Sequence, residues 1–276
     1  MTALHLFILA IVQGITEFLP ISSSGHLVLI PVLTGWTDQG LVMDVSVHVG
    51  TLIAVLVYFR DDTKGLFLAG LGSFGVAPAR RATEGTIYGK LFWAIVIATI
   101  PAVIVGFAVK VSGTADLMRG AAVIATTSIV FGLLLYWVDR VSTTEKSLER
   151  MAVKPALIIG LAQVLSLIPG TSRAGITMTA ARHLGFGRQD AARFSLLLSI
   201  PTIIGAAVLL GKDVAESGDP IVWVEAGIAA GLSCLAALAA IHFLMKWLAH
   251  ASMAIFVIYR VALGLFLFAL IAAGII

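Results

Sequence analysis

Two short polar stretches carry the side chains best suited to chemistry: Gln13-Gly14-Ile15-Thr16-Glu17, which runs on to Pro20-Ile21-Ser22-Ser23-Ser24-Gly25-His26, and Pro169-Gly170-Thr171-Ser172-Arg173-Ala174-Gly175. Gln13 and Glu17, four residues apart, share one face of a helix and offer oxygen ligands that suit a hard divalent cation such as Mg²⁺ or Ca²⁺. Ser22, Ser23 and Ser24 precede Gly25 at an expected helix start, where free N–H groups and the helix dipole attract anions, and one of the three is expected as the N-cap. His26 brings an imidazole that can act as acid, base or nucleophile near neutral pH. Arg173, beside Thr171 and Ser172, brings a planar fork that matches phosphate oxygens and stays charged when buried. The set suits phosphate hydrolysis: Ser23 attacks phosphorus, His26 takes its proton, Arg173 stabilises the equatorial oxygens, and Glu17 holds a metal or orients His26. Attack by water or by His26 itself is left open. Asp44 and His48, again four apart, are expected to support the site from behind. A salt bridge from Arg173 to Glu17 is compatible with this chemistry if the arginine changes partner when substrate arrives.

The elements that must position these residues are membrane helices. Of 276 residues, 59% are hydrophobic and 12% charged, where a soluble domain would have about a quarter charged. The mean hydropathy is +1.05. Continuous apolar runs long enough to cross a bilayer, without strand-period alternation, exclude an outer-membrane barrel. The fold class is therefore an all-α polytopic membrane protein. Its single cysteine, Cys234, excludes a disulfide or a thiolate metal site within one chain. The net charge of +3 reflects loop lysines and arginines and gives no nucleic-acid partner. The N-terminus has no basic region before its apolar stretch and is read as part of the fold rather than as a cleaved leader.

Six runs are expected to span, at about 41–59, 90–110, 119–138, 188–211, 219–245 and 253–276. Residues 3–14 and 153–168 are too short to cross, and each meets a Pro/Gly/Ser break followed by a second short apolar segment, 22–36 and 172–186. That pattern predicts two re-entrant helical hairpins whose breaks face the protein interior. At a constant offset of 150, Gln13 pairs with Gln163, Thr16 with Ser166, Ser22 with Ser172 and Gly25 with Gly175. Hairpin plus three spans, twice over, predicts inverted-topology repeats in one integral membrane domain, repeat one at about 1–140 and repeat two at about 150–276, with the hairpin tips meeting near the midplane. Lysines and arginines concentrate on one face, among them Arg60, Lys64, Arg80, Arg81, Lys90, Arg140, Lys146 and Lys154, against Lys110, Arg119 and Lys212 on the other. The first face is expected in the cytoplasm, with the mouth of the first hairpin outside. Residues 60 to 89, long and basic with Gly and Pro, read as a surface excursion with room for a short interfacial helix and without a catalytic role. Arg260 reads as a structural residue snorkelling toward the cytoplasmic side. Gly227 and Gly231 read as a small-residue pair for close helix packing within the chain, which leaves a homodimer open.

At its two polar motifs the chain resembles the undecaprenyl-diphosphate phosphatase family, also called bacitracin-resistance proteins, over essentially its whole length. In that family an E/Q-x-x-x-E motif leads into Pro-Ser-Ser-x-Gly-His, and a later Pro-Gly-x-Ser-Arg-Ser-Gly supplies the arginine. Here Gln13 to Glu17 and Ile21 to His26 stand for the first, with glutamine where many members have glutamate, and Pro169 to Gly175 for the second, with Ala174 replacing a serine. The resemblance implies hydrolysis of undecaprenyl diphosphate to the monophosphate and phosphate, recycling the lipid carrier of cell-wall synthesis. It also implies a divalent cation, Mg²⁺ or Ca²⁺, at Gln13 and Glu17, substrate contacts from Gln13, Ser22, Ser24, Thr171 and Ser172, and a bacterial inner-membrane protein whose site opens outward. A rival of another class is a secondary transporter or lipid flippase, since inverted repeats with broken helices are a transporter architecture.

Overall fold

A computed structural model of the chain describes residues 2–37, 40–114, 118, 120–143, 145–215 and 220–276. Among the described residues twelve α-helices follow in order: α1 Ala3–Thr16, α2 Ser23–Thr34, α3 Gly40–Tyr58, α4 Arg60–Ser73, α5 Ala77–Thr83, α6 Tyr88–Ser112, α7 Ala121–Val141, α8 Val153–Val164, α9 Arg173–His183, α10 Arg188–Ala215, α11 Pro220–Leu248 and α12 Ala254–Ala272. Among the described residues there is no strand, only an isolated bridge between Lys146 and Phe186. Six helices among the described residues are long and apolar enough to cross a membrane: α3, α6, α7, α12, residues 188–208 of α10 and residues 223–248 of α11. They fall on the six runs read from the sequence. Large apolar side chains such as Phe7, Trp93, Ile104, Phe107, Leu235 and Phe266 point outward, an exposed surface that only a lipid environment accommodates.

The short helices come in two pairs. His5 of α1 stacks near Trp36, just past α2, with ring centroids 4.5 Å apart, so this pair starts and finishes at one place. The second pair does likewise: Lys146, shortly before α8, receives a hydrogen bond from Gly187 N and donates to Gly185 O and Leu184 O, just past α9. Both pairs are sunk into the long helices. α1 packs along α11 and α8 along α6, while α3 with α11 and α7 with α12 make the broadest remaining contacts. Gly50 of α3 shows how close these approaches are, since a Cβ there would lie 2.1 Å from Ala230 O. Phe18, Leu19 and Ile21, from the turn after α1, join the same core cluster as Ala174, Met178, Phe194, Leu197 and Ile241. The first turn is thereby buried among helices of the second half.

Three expectations change. The excursion at 60–89 carries two helices, α4 and α5, and is not confined to the surface, since Asp62 in α4 is buried, accepting from Arg193 of α10 and from Tyr88 of α6. Gly227 and Gly231 are not packing residues, because a Cβ on either would meet nothing within 4 Å. The close contacts on α11 come from Gly14 and Gly50 instead, against Ser233 and Ala230. Arg260 does not snorkel; it is fully buried in α12. Arg119, used in the charge comparison, lies outside the described residues.

Candidate active site

The site forms where the turn between α1 and α2 meets the turn between α8 and α9. Each turn contains a proline, which has no N–H to extend a helix and biases the preceding residue away from helical geometry. Each ends on a serine in left-handed backbone, Ser22 at φ 75° and Ser172 at φ 70°. Each of these serines caps the next helix, its hydroxyl accepting from Gly25 N at 3.4 Å and from Gly175 N at 3.1 Å. Gly170 needs to be glycine on two counts: its φ is +88°, and a Cβ would sit 2.1 Å from Thr127 Oγ1 of α7. That threonine also donates to Pro169 O at 2.7 Å, pinning the second turn to α7. The turns touch where a Cβ on Gly25 would lie 3.6 Å from Gly170 Cα.

Glu17 is the hub. Its side chain is 6% exposed, and its two oxygens receive three donors. Ser23 Oγ donates to Oε2 at 2.6 Å, Gln13 Nε2 donates to Oε2 at 3.0 Å, and Arg173 Nη2 donates to Oε1 at 3.0 Å. His48 Nε2 stands 3.8 Å from Oε2, while its Nδ1 lies 2.6 Å from Asp44 O, a carbonyl that can only accept and therefore places the hydrogen on Nδ1. Arg173 spreads its fork, Nη1 donating to Ser195 O of α10 at 3.1 Å. A cavity of about 190 Å³ opens beside these groups, lined by Glu17, Ser22, Ser23, Ser24, His48, Ser166, Ser172, Arg173 and Thr202, with Ile203 and Ala206. Hydroxyls on several sides and one guanidinium fit a phosphate group.

The residues singled out from sequence separate into three groups. Glu17, Ser22, Ser23, Ser24, Ser172, Arg173 and His48 line the cavity. Gln13 and Thr171 are fully buried behind it, each with one partnerless oxygen, Oε1 and Oγ1. Asp44 enters the local network through its carbonyl. His26 is elsewhere: its Nδ1 is 2.6 Å from Ser22 O and its Nε2 is 2.5 Å from Tyr259 OH, so neither ring nitrogen faces Ser23. Since Ser22 O only accepts, the proton belongs on Nδ1, and a neutral ring accepts from Tyr259 through Nε2. The sequence reading missed Ser166, Thr202, Tyr259 and the true place of Arg260. Only Ser166 left a trace, as the partner of Thr16 at the offset of 150.

Oxygen ligands for a hard cation are present. Gln13 meets the Glu17 carboxylate through its amide Nε2 and keeps a buried Oε1 without a partner, so the pair offers an amide and a carboxylate oxygen of the kind that suits Mg²⁺ or Ca²⁺.

The chain is similar to known proteins over nearly its whole length. The undecaprenyl-diphosphatase of Roseobacter denitrificans is 47% identical over 267 residues, covering 97% of this chain and 98% of its own length. That of Ruegeria pomeroyi is 47% identical over 270 residues with the same coverage, and that of Jannaschia sp. is 48% identical over 267 residues. The family profile described as bacitracin resistance protein BacA matches residues 6–266, from the first helix through the last, and takes in both turns and the helices that hold them. With nearly the whole chain matched, this protein belongs to the BacA family of bacitracin resistance proteins.

Proposed function

We propose that the chain is an integral membrane phosphatase that hydrolyses undecaprenyl diphosphate to undecaprenyl phosphate and inorganic phosphate, recycling the cell-wall lipid carrier. The observation that carries this reading is the 2.6 Å contact of Ser23 Oγ with Glu17, set in a hydroxyl-lined cavity beside Arg173. A serine alcohol is a weak nucleophile until a base takes its proton, and the carboxylate already accepts that hydrogen bond. As Ser23 Oγ bonds to the terminal phosphorus, its proton passes to Glu17, the bond from phosphorus to the bridging oxygen breaks, and undecaprenyl phosphate leaves. Glu17 returns that proton to the departing undecaprenyl phosphate; water then attacks the phosphoserine and gives a proton to Glu17, which passes it to Ser23 Oγ as the phosphorus–Oγ bond breaks and inorganic phosphate is released. Arg173 moves from Glu17 to the phosphoryl oxygens during attack, which stabilises the transition state and strengthens Glu17 as a base. His26 holds the Ser22 carbonyl, and with it the turn, in place of the base role read from sequence. Where Mg²⁺ or Ca²⁺ binds, Glu17 and Gln13 Oε1 would hold it, and the ion would neutralise diphosphate charge.

The two serine-capped turns, 150 residues apart, support an inverted repeat with α1–α2 and α8–α9 as re-entrant hairpins. The concentration of lysine and arginine supports a cytoplasmic side at Arg81 and Lys146, and an outward-opening site. Single cysteines at 81 and 146 in a Cys234→Ala background should label only from the cytoplasm, and one at 114 only from outside; labelling of 146 from outside would reject the inverted count. The main test is phosphate release by purified protein in liposomes supplied with a polyprenyl diphosphate. Release that disappears in Ser23→Ala supports the enzyme, whereas lipid crossing the bilayer without release would put the flippase reading in its place.

A further inference from the structure

Arg260 sits in the middle of the last helix with no exposure to solvent, and every hydrogen bond of its guanidinium goes to a main-chain carbonyl. Nη2 donates to Thr171 O at 2.8 Å, to Gly170 O at 3.0 Å and to Thr127 O at 3.3 Å, while Nη1 lies 3.5 Å from Pro20 O. One side chain therefore touches the turn that carries Glu17 and Ser23, the turn that leads to Arg173, and the helix behind both. Burying a guanidinium without an anion is costly, and a simple spacer would be met at lower cost by an apolar residue. The chain also leaves room for it. Gly175, in the first turn of α9, would put a Cβ 2.9 Å from Nη1, and Gly132 of α7 would put one 3.3 Å from Arg260 Cβ. The preceding residue, Tyr259, reaches the same first turn by another route, through His26 and on to Ser22 O.

We propose that Arg260 is a positioning residue for hydrolysis: it clamps the two turns in register, so that Ser23 meets Glu17 while Arg173 remains within reach of the same phosphate. The proposal rests on the reading of Ser23, Glu17 and Arg173 as the reacting set. It assigns Arg260 no contact with substrate. A fork that spans two turns has a geometric task that lysine, with one ammonium, does not perform, although lysine keeps the charge.

The test uses the purified full-length chain and a polyprenyl diphosphate, comparing Arg260→Lys and Gly175→Ala with Arg182→Lys, a substitution in the Arg182–Asp139 ion pair remote from the cavity. Thermal unfolding, kcat and KM are measured for each. In a Ser23→Cys, Cys234→Ala background, the pH profile of alkylation at position 23 is recorded with and without each substitution. Arg260→Lys should lower kcat about 10²-fold with KM nearly unchanged, the scale of a small misplacement of reacting groups. Its alkylation profile should move toward that of an ordinary thiol as position 23 loses its register with Glu17. Gly175→Ala, which displaces the guanidinium without removing it, should shift both readouts in the same direction by about tenfold in kcat. Arg182→Lys should lower the unfolding temperature and leave kcat and the profile alone. If Arg260→Lys fails to fold, Gly132→Ala decides, with the same expected direction, because the nearest atoms to its Cβ all belong to Arg260, whereas a Cβ on Gly175 would also lie 3.2 Å from Ser172. A loss of thermal stability with kcat and profile unchanged would overturn the proposal, as would a rise in KM alone, which would make Arg260 a binding group. Full activity of Ser23→Ala would instead defeat the underlying assignment of the reacting set, a result separate from either.

Discussion

The two turns at the site have the same construction and different contents. Ser22 and Ser172 share a left-handed backbone, a capping hydroxyl and a glycine three residues on. The first turn then supplies an acid and an alcohol, Glu17 and Ser23, while the second supplies the cation, Arg173. Neither half is competent alone, because an alcohol next to a carboxylate repels phosphate and a guanidinium next to hydroxyls binds phosphate without attacking it. The two turns thus offer frames of like shape, and in the proposed reaction each contributes a different part. The ion pair of Glu17 with Arg173 joins the frames, and breaking one side of such a buried pair costs on the order of 3–5 kcal/mol unless another charge replaces it. A diphosphate is that replacement.

The sharpest way to break the comparison is to empty the first frame. Ser23→Ala should remove hydrolysis by at least about 10⁴-fold in kcat, with the unfolding temperature nearly unchanged. Glu17→Gln should be of similar severity, and the double variant scarcely worse than either, because alcohol and base act as one unit. Additive losses in steady-state assays would show that the two act in separate steps. Emptying the second frame should cost less: Arg173→Lys keeps the charge and loses the fork, lowering kcat by about 10²-fold. A near-normal kcat would return Arg173 to a purely structural bridge.

The fold was legible in the sequence for a physical reason. Hydrocarbon requires unbroken apolar runs, so the six long helices declare themselves by composition, and the two breaks declare themselves by being polar where polarity is costly. The candidate site residues stood out for the same reason, since Glu17 and Arg173 are ionisable groups set in polar breaks of an otherwise apolar chain. Partnership was harder to read. The spacing of Ser23 and His26 invites a serine–histidine pair, yet the Ser22 carbonyl and Tyr259, 233 residues downstream of His26, claim the imidazole instead. Arg260 was misplaced because its partners are carbonyls, which every residue possesses and which leave no pattern in a sequence. Thr202 comes from the middle of a long apolar helix and carries no local sign of its position.

Backbone space separates the frames more finely. Gly170 has a positive φ and a wall of Thr127 and Ile124 against it, whereas Gly25 has no such φ and would place a Cβ 3.2 Å from a flexible Ile124 methyl. Gly170→Ala should therefore destabilise by roughly 2–3 kcal/mol, from strain and overpacking together, and Gly25→Ala by about 1 kcal/mol or less. Thermal unfolding in detergent checks the ranking. Equal losses would mean that the first turn is as tightly enclosed as the second.

The smallest effect bears on whether the frames are equivalent at all. At Ser22 and Ser172, glycine removes a capping hydroxyl at a cost of a few tenths of a kcal/mol and relieves a left-handed conformation that costs a side chain about 1 kcal/mol or more. Ser22→Gly and Ser172→Gly should thus match or slightly exceed the parent in unfolding temperature. Alanine at either position keeps the strain, loses the cap and should fall below both. Activity should divide the pair where stability does not. Ser22 immediately precedes Ser23, the proposed nucleophile, and its carbonyl is held by His26, so added freedom there should reduce kcat by about tenfold. Ser172→Gly loosens the approach to Arg173, whose position is fixed independently by Glu17 and the Ser195 carbonyl, and should reduce kcat by about threefold or less. Identical kcat losses for the two glycine variants would contradict the division of labour, because they would make the two turns interchangeable in function as they are in shape.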